Sequence, residues 1–203
     1  MMKKILSIGF IYNLFIKLIG GNKASKWLAI NHWRISEGDK VLDMGCGTSE
    51  CLKYLPKIDY TGFDPSTNYL KKQPFGATLL KGTVHELKSN FTKPEYDVVM
   101  CNGLLHHLKY REACEAVELA YKALKKGGRL LCIEPVYLKT QARLSKWMVS
   151  QDRGIYVRHE SEYKRIIKDW FDNFDTNVLT GLLNIPYTHL LIEAVKERET
   201  PKT

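Results

Sequence analysis

Two adjacent histidines, His106 and His107, follow an apolar run, Val98-Val99-Met100-Cys101, that reads as a strand buried on both faces. Imidazole titrates near neutrality, so a histidine at the mouth of such a strand is a candidate base toward a hydroxyl or an amine. A second group with chemical content is Asp43-Met44-Gly45-Cys46-Gly47, with Asp64 further along. Gly45 and Gly47 allow positive φ and let a ligand approach the backbone with no Cβ in the way. The amides that open a following helix carry partial positive charge, suited to a carboxylate or a phosphate. Asp43 lies two residues before the first glycine, and Asp64 ends the next strand. A bare Gly-x-Gly is as readily a structural turn. The two acids at strand ends move the reading to a nucleotide-type cofactor loop after the first strand of an open α/β sheet.

The elements that must position these residues alternate along the chain. Strands are predicted at Lys40 to Met44, Tyr60 to Phe63 (with Asp64 at its end), Ala77 to Lys81, Tyr96 to Asn102 and Arg129 to Glu134, the last stopped by Pro135. Helices are predicted from Lys23 to Trp33, from the glycine loop to about Tyr54, after Pro65-Ser66, from Glu112 to Leu124, from Gln141 to Val149 and from Glu162 to Asp169. Phe174–Leu179 and Thr188–Val195 read as a final strand pair. The expected architecture is a single α/β domain over 1–203, with a mostly parallel sheet, an antiparallel C-terminal strand at one edge and helices on both faces. Residues 1–35 form a helical cap in this reading, and 138–170 a lid-like segment after strand five.

Composition narrows the classes. At 203 residues the chain is long enough for a substantial core, and its apolar and charged fractions are those of a folded protein. Its five cysteines form no Cys-x-x-Cys and have no histidine at zinc spacing, so free thiols in a reducing, cytoplasmic compartment are expected and no metal site. Ile5, Ile8, Tyr12, Phe15 and Ile19 share one helical face, too short and interrupted to cross a bilayer. That helix is expected to pack on the domain or to lie on a membrane surface through residues 1–20, with Tyr12 a lesser candidate for closing over the cofactor. The net charge of +9 is concentrated in residues 1–40, at +5, and 139–169, at +4.

Together these motifs resemble the Rossmann-like, S-adenosylmethionine-dependent methyltransferases, small-molecule branch, most closely over about residues 38–137. Val-Leu-Asp-Met-Gly-Cys-Gly-Thr is similar to that family's first motif, Tyr-Asp-Val-Val-Met-Cys-Asn to its fourth-strand motif, and Leu124-Lys-Lys-Gly-Gly-Arg-Leu-Leu to its lead into strand five. Ile133-Glu134-Pro135 is similar to a feature of the small-molecule branch. The resemblance implies S-adenosyl-L-methionine as cofactor. Asp43, Gly45, Cys46 and Gly47 would hold its methionine end, and Asp64 with Pro65 its ribose. Thr83 and Val84 would read the adenine through backbone groups, and Asn102, Gly103 and Leu104 would line the site beside the candidate bases His106 and His107. Two positions depart from the pattern: Ser49-Glu50 stands where a third small residue is usual, and Thr83 where an acid often reads the adenine.

A nicotinamide dinucleotide is the nearest rival cofactor, but the third glycine of its loop is replaced by Glu50. The fourth strand carries no Asn/Asp-Pro-Pro-aromatic motif, which disfavours methylation of adenine in nucleic acid. The expected acceptor is small or lipid-like and anionic, drawn by a basic rim of Lys17, Lys23, Arg143, Lys146, Arg153 and Arg158. RNA is the weaker alternative. A non-catalytic cofactor-binding or partner subunit is the second class of function.

Overall fold

Val41 and Leu42 show how the sheet is built. Adjacent side chains of an extended strand point to opposite faces, and these two enter different cores, Val41 with Leu28, Trp33 and Met100, Leu42 with Val99, Val117 and Tyr163. The strand Tyr96–Asn102 repeats the alternation, with Val98 and Met100 on one face and Val99 and Cys101 on the other. A sheet apolar on both faces needs helices on both.

The computed structural model describes residues 18–66 and 76–198. Its strands are β1 Lys40–Met44, β2 Asp59–Asp64, β3 Ala77–Lys81, β4 Tyr96–Asn102, β5 Leu124–Tyr137, β6 Arg158–His159, β7 Asn173–Thr180 and β8 Thr188–Val195. Its helices are α1 Gly21–Leu28, α2 Val84–Leu87, α3 Tyr110–Ala123, α4 Arg143–Ser150 and α5 Glu160–Lys168. The sheet order is β3-β2-β1-β4-β5-β8-β7, with the two-residue β6 beside β5. Strands β1 to β5 pair in parallel, and β8 and β7 run antiparallel at one edge. This is the expected architecture. Parallel order places the ends of β1, β2 and β4, with Asp43, Asp64 and Asn102, along one edge of the sheet, where open α/β folds take their ligands.

Four local readings differ. The helix expected after the glycine loop is only a five-residue 3₁₀ turn, Glu50–Tyr54, preceded by Ser49 at φ 51°. A left-handed backbone suits glycine, so Ser49 holds a strained conformation where a third glycine would be relaxed. Pro135 does not stop β5. Pairing with β4 ends at Ile133 and pairing with β6 begins at Val136, while on the other side β8 stays in register through Pro135, opposite His189. The loop after β4 contains a 3₁₀ turn, Leu105–His107. Helix α1 passes into a π-helical turn, Ala29–Trp33. The helix read at residues 1–20, with Tyr12, and the helix read after Pro65-Ser66 lie largely outside the described residues. No described helix is long and apolar enough to cross a membrane.

Candidate active site

The glycine loop is fixed by backbone bonds to β2. The amides of Gly45 and Cys46 both donate to the Phe63 carbonyl, at 2.8 and 3.0 Å. Gly45, at φ 74°, also passes so close to Leu104 that a Cβ would meet its Cδ1 at 2.9 Å. Gly47, at φ 52°, faces open space instead. The two glycines thus serve different ends, one close packing and the other an unobstructed cradle. The Cys46 thiol packs beneath, against Gly62, and burial pushes it up to about 12, which leaves it unreactive at neutral pH.

Asp43 and Asp64 border this cradle. Asp43 is buried, and its Oδ2 accepts a hydrogen bond from the Tyr60 hydroxyl at 2.7 Å. Burial pushes its carboxyl up to about 6 against the Tyr60 and Cys51 hydrogen bonds, and the charge of Asp64 adds to the rise. Asp64 Oδ2 accepts from the Gly47 amide at 3.1 Å and Oδ1 from the Ser66 amide at 2.8 Å, tying the end of β2 to the loop. Burial raises its pKa too, opposed by those amides and by Arg153. Pro65 follows as an exposed bend. At the end of β4, Asn102 Oδ1 is buried and has no hydrogen-bond partner among the described residues. Gly103 turns the chain at φ 69° and donates to the Ile133 carbonyl at 2.8 Å. Leu104 covers Gly45.

Thr83 is committed differently from the expectation. Thr83 caps α2: its amide donates to Glu86 Oε2 at 2.8 Å, and its hydroxyl accepts from the Glu86 amide at 3.3 Å. The Thr83 carbonyl accepts from Leu87. Backbone reading of an adenine by Thr83 therefore competes with its own capping box. The Val84 side chain is buried in the core.

The histidines differ in kind. His106 is buried, with Nδ1 2.6 Å from Glu134 Oε2 and Nε2 3.0 Å from Asp152 Oδ1. Glu134 is fully buried, and its carboxylate also accepts from the amides of Leu104, Leu105 and His106. Burial alone lowers the His106 pKa, but Glu134 and Asp152 outweigh it and carry the imidazole up to about 9. His106 is a doubly hydrogen-bonded imidazolium, with neither ring nitrogen free to accept a proton. His107 is exposed, its ring centroid 4.2 Å from that of His106. Loss of hydration and the neighbouring cation lower it to about 4, so it is neutral and retains a lone pair.

The segment after β5 closes this corner. The Tyr187 hydroxyl donates to Asp152 Oδ2 at 2.6 Å, and the Gly154 amide to Oδ1 at 2.8 Å. Tyr156 donates its amide to the His106 carbonyl at 3.0 Å. Gly154 lies so close to the His106 ring that a Cβ would fall 1.9 Å from its Cδ2. Against the upward push of burial, the His106, Tyr187 and Gly154 bonds hold Asp152 well below the usual carboxylate range. Arg158, expected at a basic rim, is buried and donates to the carbonyls of Leu105 and Leu108, each at 2.7 Å. It clamps the histidine loop and does not face an acceptor. Lys23, Arg143 and Lys146 are exposed, Arg153 is half-buried and Lys17 lies outside the described residues.

Asp152, Tyr187 and the inward use of Arg158 were not singled out in the sequence, and Glu134 only as part of a motif. Their partners are far away along the chain, so no local spacing announces them.

With the fold and cradle described, the likeness to known proteins has a physical basis. A family profile described as a methyltransferase domain matches residues 22–179. An uncharacterised methyltransferase of Synechocystis sp. is 28% identical over 128 residues, and the match spans 59% of each chain. An S-adenosylmethionine-dependent methyltransferase structure from Archaeoglobus fulgidus superposes with TM-score 0.71 at 17% identity, covering 90% of this chain and 99% of that one. A phosphoethanolamine N-methyltransferase of Haemonchus contortus, in complex with phosphomonomethylethanolamine and S-adenosylhomocysteine, superposes with TM-score 0.67 at 19% identity. It covers 88% of this chain and 53% of that one. The profile spans most of the sheet and both borders of the cradle, and the chain belongs to the methyltransferase domain family.

Proposed function

We propose that the chain binds S-adenosyl-L-methionine and transfers its methyl group to a small or lipid-like anionic acceptor. The observation that carries the reading is the set of polar groups around the open side of Gly47. Asp43 and Asp64 are buried with raised pKa values, and Asn102 Oδ1 is buried without a partner among the described residues. A buried unsatisfied oxygen costs about 1–3 kcal/mol, and a ligand that brings an ammonium and hydroxyls relieves that cost. The residues present fit the cofactor. When bound, it supplies a sulfonium methyl that is displaced in line, leaving S-adenosylhomocysteine. Asp43 would hold the cofactor's ammonium, and Asp64, with the lone pairs its two amide donors leave, would accept from the ribose hydroxyls.

The chain's own contribution is alignment in a dry corner, an effect worth about 7–11 kcal/mol in well-oriented systems. His106 holds its loop between Glu134 and Asp152. His107 keeps a lone pair that takes up the acceptor's proton as the new bond forms; with its pKa lowered to about 4 it is a weak base, so its contribution lies at the low end of the usual range, about 10²-fold. His107→Ala is expected to lower turnover by up to about 10²-fold while cofactor affinity is unchanged. Equal turnover of the variant removes the base role.

The family resemblance has a rival in a dinucleotide cradle, and calorimetry separates them. Titration with S-adenosylmethionine is expected to give one site per chain, and NAD none. Binding of NAD alone overturns the reading, and binding without product release supports the non-catalytic alternative. The anionic acceptor rests on Lys23, Arg143 and Lys146, which remain exposed. A rim of like charge raises the capture rate of an opposite charge, most at low salt. Reversal of Arg143 and Lys146 to Glu is expected to slow capture and flatten its salt dependence. An unchanged salt profile excludes the electrostatic rim.

A further inference from the structure

Three donor groups of the histidine corner meet outside the glycine cradle. A ring nitrogen of His106, an Asp152 oxygen and a His107 ring nitrogen all lie within 4.8 Å of one another. His106 Nε2 and Asp152 Oδ1 are 3.0 Å apart. Two ligands each about 2.1 Å from one ion are about 3.0 Å apart at a right angle and about 3.4 Å apart at the tetrahedral angle. An ion held by both donors takes the place of the hydrogen between them and, at the tetrahedral angle, needs them about 0.4 Å further apart than they stand. His107 supplies the third donor from an exposed position, its ring packed at 4.2 Å against that of His106.

What stands behind the donors is more telling than the donors. A metal-ligating histidine commonly gives its other ring nitrogen to a carboxylate, which fixes its orientation and raises its basicity. His106 does this through Nδ1 to Glu134, 2.6 Å away, and Glu134 is itself held by three backbone amides. Asp152 is oriented in the same manner, its second oxygen taken by the Tyr187 hydroxyl at 2.6 Å. Each of these two donors therefore has an outer hydrogen bond already in place, and Asp152 Oδ1 also accepts from the Gly154 amide at 2.8 Å. Two carboxylates, Asp152 and Glu134, offset the positive charge of Arg153, which lies close enough to His107 to lower its pKa.

We infer that His106 Nε2, Asp152 Oδ1 and His107 bind one divalent cation of borderline softness, of the zinc and cobalt class, with the remaining coordination positions open toward the acceptor. Two imidazoles select against magnesium and calcium, which take oxygen donors. Three protein ligands with a position left over is the pattern of a site that binds an exchangeable oxygen group. The cation takes the place of the proton shared by His106 and Asp152, and the base role of His107 then belongs to the cation-free protein. The inference goes beyond methyl transfer, because cation binding needs no cofactor.

The test uses the tag-free full chain, stripped with a chelator and titrated with Co²⁺, followed by its ligand-field absorption and by competition with Zn²⁺. One ion per chain is expected, with nitrogen-ligand bands. His107→Ala, at an exposed position, and Asp152→Asn are each expected to weaken binding by about 100-fold, and Tyr187→Phe by about 10-fold through the outer hydrogen bond. Circular dichroism and S-adenosylhomocysteine binding are followed in parallel, so loss of the fold or of the cofactor site is told apart from loss of the ion. Binding below one ion per chain, or equal affinity in His107→Ala and the unaltered chain, overturns the inference and leaves the methyltransferase reading intact.

Discussion

Glu134→Ala is expected to lower the unfolding free energy by about 3–5 kcal/mol, the usual cost of removing one partner from a buried ion pair. The carboxylate accepts from the amides of Leu104, Leu105 and His106 and from the His106 ring, with no exposure to solvent. Three amides and an imidazolium therefore lose their acceptor together. For a protein of this size that corresponds to a fall in Tm of about 6–20 °C. Glu134→Gln separates charge from shape. Its one carbonyl oxygen can still accept from Leu104 and Leu105, while its amide faces the donors of His106, and roughly half the loss is expected. Glu118→Gln, which breaks a surface pair with Lys122 one helical turn away, is expected to cost at most about 1 kcal/mol. Urea denaturation of the three variants checks the series. A loss for Glu134→Ala no larger than that of Glu118→Gln would remove Glu134 as the organiser of the histidine loop.

The second large effect is on ligand binding. Asp64→Ala is expected to weaken S-adenosylhomocysteine binding by about 3 kcal/mol or more, since two hydrogen bonds to a charged acceptor contribute about 1.5–3 kcal/mol each. That is roughly a 150-fold rise in Kd. Stability is expected to change far less, because burial already works against the ionised carboxylate. The same calorimetric series carries a pH signature from Asp43. Burial raises its pKa to about 6, so below that pH the group is protonated and a ligand ammonium must displace the proton. Affinity is therefore constant above about pH 6 and falls by up to about tenfold per unit below it. Asp43→Asn removes this dependence. An unaffected Asp64→Ala, or a Kd flat across pH 5 to 8 in the unaltered chain, counts against the proposed cradle.

Much of this was legible in the chain. The strands at Lys40–Met44, Ala77–Lys81 and Tyr96–Asn102 fall where the apolar runs placed them, because central parallel strands need continuous hydrophobic sequence. Gly45 and Gly47 announced their loop, since few residues other than glycine take those φ values without strain. The order of the motifs carried the family.

Tertiary structure decided which side chains remain available for chemistry. Both histidines read alike in the sequence, yet His106 is enclosed between Glu134 and Asp152 while His107 faces outward. Arg158 reads as a surface charge until its guanidinium is seen donating to carbonyls of the loop after β4. Thr83 reads as a ligand-facing loop residue until Glu86 folds back to occupy its amide. Pro135 reads as a stop until β8 pairs opposite it and β6 takes up the pairing just beyond. Each of these outcomes depends on a partner brought close by the fold. Hydrophobic periodicity and backbone preference are properties of neighbouring residues and can be read locally, whereas protonation and hydrogen-bond commitment follow from burial and from groups that meet only in three dimensions.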